Sequence, residues 1–179
     1  MLSEQVTSKP VTSLWHEIIV LFKLRIVILL LFAAVGGAFL AAEGWPGFPA
    51  LVLVLVSGGL SAAGASALNE YLERDRDALM NRTRKRPLVT GAFKSTGWVP
   101  WLAAGMILAP IAAALFFNPP LAAALAAGAF VSVVVYTLWL KPRTTLNIVV
   151  GGLAGSFAVL SGSAAAGHWA QPAALALAA

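Results

Sequence analysis

The chain has 179 residues, of which 60% are hydrophobic and 11% are charged, and its formal net charge is +5. This composition excludes an ordinary soluble domain and is typical of a polytopic membrane protein. The absence of cysteine excludes disulfide bonds, thiolate metal sites and cysteine nucleophiles.

The first half of the chain contains two predicted membrane spans. Residues 1–13 are polar and contain proline, so we expect a disordered lead; no small-residue cleavage site marks a secretory signal. The apolar segments that follow predict spans over about residues 18–42 and 50–72, because about 20 apolar residues suffice to cross a bilayer. The turn Glu43–Pro49 between them contains glycine and proline, which break helices.

Three further spans are predicted in the second half, over about residues 98–117, 121–140 and 146–166. The last residues, AQPAALALAA, look like the start of a sixth span. We therefore expect an all-α, polytopic transmembrane helix bundle over residues 14–179, and we expect the sequence to be the N-terminal portion of a longer protein.

The basic residues all fall on one side of this map. The N-terminal side, the block after the second span and the loop after the fourth span contain all twelve Lys and Arg residues, and the opposite loops contain none. Because Lys and Arg concentrate in cytoplasmic loops, we expect a cytoplasmic N-terminus and cytoplasmic charged loops. The same placement argues against nucleic-acid binding, which would require a basic groove or stripe on a soluble fold.

The stretch from Asn69 to Gly91, NEYLERDRDALMNRTRKRPLVTG, concentrates ten charged side chains. Its first fourteen residues contain no Gly or Pro, so the helix of the second span is predicted to continue through them. Asn69, Glu73 and Asp77 then share one helix face, where an amide and two carboxylates offer the oxygen ligands that Mg²⁺ prefers. Asp75 lies on another face and is a weaker candidate.

Downstream of these acids, Arg82 and Arg86 are four residues apart and Pro87 ends the basic run. Guanidinium groups pair with phosphate oxygens in a bidentate manner, so acids followed by paired arginines are suited to a metal-bound diphosphate. A basic run can also serve only as a topology signal that contacts anionic lipid, and the sequence leaves that alternative open.

The charged stretch closely resembles the first aspartate-rich motif of the UbiA superfamily of intramembrane prenyltransferases. The arginines leading into RPL, together with LKPRTTLNIVVGGLAG over residues 140–155, resemble the protoheme IX farnesyltransferase (haem O synthase) branch. The resemblance implies a ring of about nine helices, of which this chain supplies five and a part of the sixth. The second acidic motif of the family has no counterpart here, so we expect this portion to be inactive alone.

The resemblance also implies roles for individual residues. Asn69, Glu73 and Asp77 would bind Mg²⁺, with Glu73 in the middle place where the family usually has the shorter Asp. Arg82, Arg86 and Lys141 would bind the diphosphate.

The implied reaction transfers a farnesyl group from farnesyl diphosphate to a vinyl group of haem B, giving haem O for haem-copper oxidases. Haem A synthase or oxidase assembly factors are the implied protein partners, in a bacterial inner membrane. Two alternatives remain: a related prenyltransferase acting on a quinone or chlorophyll precursor, and a non-catalytic scaffold or transporter.

Aromatic and histidine side chains near the membrane surfaces are expected to have ordinary interfacial roles. Tyr136 and Trp139 lie at the inner end of the fourth span, where belt aromatics are enriched. His16 and His168 are interpreted as interfacial side chains rather than haem ligands.

Overall fold

The computed structural model describes residues 14–144 and 147–179, with only the backbone of residues 147–150, and the predicted lead lies outside this range. The described residues form helices joined by turns and loops and contain no strand. In chain order the helices are α1 (Leu14–Leu21), α2 (Leu24–Ala41), α3 (Phe48–Leu79), α4 (Pro87–Thr90), α5 (Val99–Phe117), α6 (Pro119–Phe130), a π-helix (Val131–Leu140), α7 (Asn147–Ala165) and α8 (Pro172–Ala178).

Four helices in the described part of the chain are long and apolar enough to cross a membrane. They are α2, α3, α5 and the continuous rod of α6 and the π-helix. Large apolar side chains on their outer faces are exposed, such as Trp101 at 81% and Phe116 at 91%, as expected where lipid is the solvent. The all-α transmembrane bundle predicted from the sequence is therefore confirmed.

The helices contact one another in the cyclic order α2, α3, α5, α6 and α7, and α7 returns to α2. Small residues permit the closest approaches. The carbonyl oxygen of Val159 occupies the position that a β-carbon on Gly37 would take, and the carbonyl of Ala34 does the same at Gly162. Such small-residue contacts let helix backbones pack closely without a hydrophobic driving force between them.

Two polar residues lie at the N-terminal ends of the helices α2 and α6. Lys23 adopts a left-handed conformation with φ 47°, which breaks the apolar N-terminal segment into α1 and α2. Asn118 accepts a hydrogen bond from the backbone N–H of Leu121, which caps α6, and donates one to the carbonyl of Ala164 at 2.8 Å. Asn118 therefore ties the α5–α6 corner to the end of α7.

Among the residues that the structure describes, the bundle has a basic end and an opposite end without Lys or Arg. At the basic end α3 finishes, α5 begins and the π-helix runs into Lys141. At the other end, Gln171 donates a 2.6 Å hydrogen bond to Glu43, which joins the two loops there. Because the long charged helix α3 ends on the basic side, its carboxylates lie at the same end of the bundle as the described Lys and Arg residues.

Candidate active site

Three carboxylates are buried near the end of α3. Glu70, Glu73 and Asp77 have relative exposures of 0%, 4% and 3%. They lie at i, i+3 and i+7, the spacing that places side chains on one helix face. The side chain of Asp75 is 92% exposed and lies 3.5 Å from Arg74, in an exposed ion pair that contributes little to stability. Burial thus separates Asp75 from the other three acids.

The helix that carries these acids ends earlier than the sequence predicts. It stops at Leu79, and Met80 is extended with φ −104° and ψ 128°, whereas a helix through Arg82 is expected from the residue types alone. The buried hydroxyl of Thr83 donates a 3.1 Å hydrogen bond to the carbonyl of Asp77. This side-chain bond satisfies a helix-end carbonyl and turns the chain back toward the acids.

The turn brings Arg86 over the carboxylates. Arg86 precedes α4, where Pro87 occupies the first helical turn. Its Nη1 lies 2.5 Å from Oδ2 of Asp77 and 3.7 Å from Oε2 of Glu73. The arginine side chain is only 17% exposed, so the ion pairs form in partly desolvated surroundings, where charge interactions are stronger than in water.

A second cation reaches the same acids from a distant part of the chain. Nζ of Lys141, the residue after the π-helix, lies 2.5 Å from Oε1 of Glu73. The contact is an ion pair without hydrogen-bond geometry, because Oε1 has no hydrogen-bond partner. Glu73 therefore has a cation at each of its two oxygens.

These groups line a polar cavity of about 410 Å³ at the basic end of the bundle. The cavity is lined by Val20, Lys23, Ile26, Asn69, Glu70, Glu73, Arg82, Arg86, Tyr136 and Lys141. Lys23 lies just before the first membrane helix. Burial, together with the nearby charge of Arg86, lowers the pKa of its ammonium group. Four basic side chains thus surround the buried acids.

An apolar cavity of about 560 Å³ adjoins the polar one and extends between α2, α3, α6, the π-helix and α7. Lys23, Ile26, Asn69 and Tyr136 line both cavities. The expectation that Tyr136 is a belt aromatic is wrong, because its ring lies at the junction of the two spaces. Trp139 is 57% exposed, as a belt aromatic would be.

The residues predicted to form a site lie together at this cavity. Asn69, Glu73, Arg82, Arg86 and Lys141 line it directly, and Asp77 contacts it through Arg86. His16 and His168 are exposed and line neither cavity. Asn147, within the second family-like motif, has no described side chain.

Three further polar residues line the cavity although the sequence did not predict them there: Lys23, Glu70 and Tyr136. Glu70 could have been found, because it lies three residues before Glu73 and seven before Asp77. The contribution of Lys23 depends on the break between α1 and α2, which hydropathy does not indicate.

The oxygen atoms at the cavity fit a hard divalent cation such as Mg²⁺. Asn69 Oδ1 and Glu73 Oε1 are buried without a hydrogen-bond partner, as are both carboxylate oxygens of Glu70. Within residues 14–144 and 147–179, no three His, Cys, Asp or Glu residues form a ready-made metal cluster. Mg²⁺ commonly takes one or two carboxylates and completes its shell with water and substrate phosphates, so this partial set is appropriate.

Known proteins are similar in sequence to this chain. The UbiA prenyltransferase family model matches residues 29–179. A protein named protoheme IX farnesyltransferase 2, from Paramagnetospirillum magneticum, is 46% identical over 158 residues, covering 88% of this chain and 55% of its own length. The protoheme IX farnesyltransferase of Streptomyces coelicolor is 45% identical, with 89% and 51% covered. That of Thermus thermophilus is 43% identical, with 84% and 25% covered.

A solved structure shares the fold. It is a UbiA homologue from Archaeoglobus fulgidus bound to DMAPP and Mg²⁺, with a TM-score of 0.65 and 22% identity, covering 84% of this chain and 55% of that one. The chain therefore spans about half, or less, of the length of the proteins that it matches. The resemblance seen in the sequence motifs is confirmed, and this integral membrane protein belongs to the UbiA prenyltransferase family.

Proposed function

We propose that the protein transfers a farnesyl group from farnesyl diphosphate to a vinyl group of haem B, giving haem O. The observation that carries the proposal is the cluster of buried acids and cations at the mouth of an apolar cavity. Relatives that are 43–46% identical are named protoheme IX farnesyltransferases, which supports haem as the acceptor. The haem O would be used by haem-copper oxidases.

In this proposal the basic side chains bind the diphosphate. Arg86 and Lys141 form ion pairs with Asp77 and Glu73. When a metal diphosphate enters, the carboxylates would instead bind Mg²⁺ together with Asn69, and the two cations would turn to the phosphate oxygens. Arg82, which is exposed and lines the same cavity, would add a third positive group.

The chemistry requires the C–O bond of farnesyl diphosphate to break, with the electron pair leaving on the diphosphate. Bound Mg²⁺ would supply a Lewis acid that stabilises this charge. Once turned to the phosphate oxygens, Arg86 and Lys141 would stabilise the same charge without further reorganisation during the step.

The apolar cavity would hold the isoprenoid chain and exclude water from the allylic cation. A vinyl carbon of haem B would attack the farnesyl carbon to form the new C–C bond. Water would then add to the resulting cation and release a proton, which leaves a hydroxyl group on the side chain.

The location proposed is the bacterial inner membrane, with the N-terminus and the charged loops in the cytoplasm. The basic end of the bundle supports this orientation, because cytoplasmic segments are enriched in Lys and Arg. Haem A synthase or oxidase assembly factors are the protein partners that this chemistry suggests.

The function can be tested by expressing the whole reading frame that contains these residues. Membranes supplied with farnesyl diphosphate, haem B and Mg²⁺ are expected to form haem O, detected by mass. A prenylated quinone or chlorophyll precursor in its place would favour the other acceptor class. Unchanged function after both Glu73→Gln and Asp77→Asn would favour a scaffold or transporter. We expect residues 1–179 alone to form no product.

A further inference from the structure

The π-helix from Val131 to Leu140 is long for its type and ends immediately before a residue of the site. Most π-helices are single turns, and they are frequent at functional sites. This one comprises ten residues and follows α6 without a break. The next residue is Lys141, whose ammonium group contacts Glu73. The backbone conformation of the π-helix therefore determines where this cation lies.

The hydrogen bonding of the π-helix brings Lys141 and Tyr136 to one side of the rod. The backbone N–H of Lys141 donates to the carbonyl of Tyr136 at 2.9 Å, a bond spanning five residues. Accordingly Nζ of Lys141 lies over the Tyr136 ring, 5.7 Å from its centre. In an α-helix, at about 100° per residue, side chains five apart would differ in direction by about 140°. An α-helical segment would thus direct the ammonium group away from the cavity wall formed by Tyr136.

One side chain inside the π-helix matches this unusual register. The hydroxyl of Thr137 donates a 2.9 Å hydrogen bond to the carbonyl of Ser132, five residues earlier. Hydroxyls in α-helices bond to carbonyls three or four residues earlier. This chain provides both cases, because Ser57 in α3 bonds to Leu53 and Ser161 in α7 bonds to Ala158.

The Thr137 hydroxyl is well placed to hold the register, because the side chain is only 2% exposed. Its bond to Ser132 is specific to the five-residue spacing, so a shift toward α-helical bonding would separate the two groups.

We propose that Thr137 is a positioning residue whose hydroxyl holds the π-helical register and thereby aims Lys141 at Glu73. The consequence for diphosphate binding rests on the proposed function, whereas the effect on the position of Lys141 does not. Thr137 itself contacts no substrate atom in this account and acts only through the backbone.

A zero-length carbodiimide cross-link between Lys141 and Glu73 tests the position of the ammonium group directly. The chain is placed in lipid nanodiscs, treated with the reagent, digested and examined by mass spectrometry for the amide that forms with loss of water. The wild-type chain is expected to form the cross-link, and Glu73→Gln is expected to abolish it. No cross-link in the wild-type chain would overturn the arrangement.

Three variants separate the hydroxyl from general packing. Thr137→Val keeps the shape without the hydroxyl and is expected to reduce the cross-link yield at least about twofold, since a hydrogen bond specific to one register is lost. Thr137→Ser keeps the hydroxyl and is expected to retain the yield. Ser57→Ala removes a buried hydroxyl with ordinary α-helical bonding, outside both cavities, and is expected to change nothing.

Wild-type yield in Thr137→Val would overturn the proposal, as would equal losses in Thr137→Val and Thr137→Ser. A loss in Ser57→Ala as large as that in Thr137→Val would also overturn it, because the effect would then be general destabilisation. Binding of farnesyl diphosphate with Mg²⁺ is measured on the same wild-type sample. A chain that cross-links but does not bind would contradict the proposed function and leave the role of Thr137 intact.

Discussion

Arg86 donates a 2.5 Å hydrogen bond from Nη1 to Oδ2 of Asp77, nine residues earlier in the chain. The two side chains are 17% and 5% exposed, so each charge depends on the other for much of its solvation. Removing one partner of such a pair is costly because an uncompensated charge remains behind. The loop after α3 is thus held against the helix by the same groups that form the proposed site.

Replacing Arg86 should therefore destabilise the chain. We expect Arg86→Ala to cost about 3 kcal/mol, because Asp77 and Glu73 both lose a buried cation. For a chain of this size the unfolding midpoint would fall by roughly 6–12 °C. Thermal unfolding in detergent measures the shift. The matched control is Arg84→Ala, an exposed arginine in the same loop, which should change stability by less than about 0.5 kcal/mol. Equal shifts would show that the ion pairs do not anchor the loop.

The contact between α2 and α7 gives a second prediction, using two adjacent glycines. A β-carbon on Gly37 would collide with the carbonyl of Val159, whereas one on Gly36 would meet no atom within 4 Å. Gly37→Ala is expected to cost about 3 kcal/mol, because two helix backbones must separate. Gly36→Ala should be neutral or stabilise by up to about 1 kcal/mol through helix propensity. The unfolding midpoints of the two variants measure this difference in stability. A Gly37→Ala chain as stable as the wild type would contradict the close packing of α2 and α7.

The ring of Tyr136 can be shifted by a substitution at a neighbouring glycine, with no charged residue replaced. A β-carbon on Gly151 would lie 3.1 Å from Cε2 of the Tyr136 ring, so the ring would have to shift slightly. Since Lys141 lies over that ring, we expect Gly151→Ala to weaken Mg²⁺-dependent farnesyl diphosphate binding about threefold, or roughly 0.6 kcal/mol. Calorimetry measures the affinity. Gly105→Ala in α5, where a β-carbon would meet open space, is the control. If both variants bind alike, the position of Tyr136 has no influence on the site.

Hydropathy and charge placement were sufficient to predict the helix bundle and its basic end. Four helices in the described part of the chain are long and apolar enough to cross a membrane, as apolar runs predict, because burial in lipid requires backbone groups to bond within their own helix. The four-residue spacing of Glu73 and Asp77 likewise indicates a common helix face, which the structure shows as a buried one.

Other features depend on contacts that a linear pattern does not contain. The residue types at 80–82 favour helix, yet α3 ends at Leu79, where the Thr83 hydroxyl bonds to a carbonyl of that helix. Lys141 reaches Glu73 from a distant part of the chain, where it directly follows the π-helix Val131–Leu140. The segment VSVVVYTLWL contains no signal that distinguishes a π-helix from an α-helix.

The acids on α3 and the cations facing them are proposed to form a Mg²⁺-dependent diphosphate site. Farnesyl diphosphate binding to the chain in nanodiscs, measured with Mg²⁺ and with a chelator, tests it most directly. We predict that farnesyl diphosphate binds only with Mg²⁺. Glu73→Gln or Asp77→Asn should weaken this binding at least about tenfold, or about 1.4 kcal/mol. Asp75→Asn should change it less. Equal affinity in the chelator, or equal losses at Asp75 and Asp77, would contradict the account.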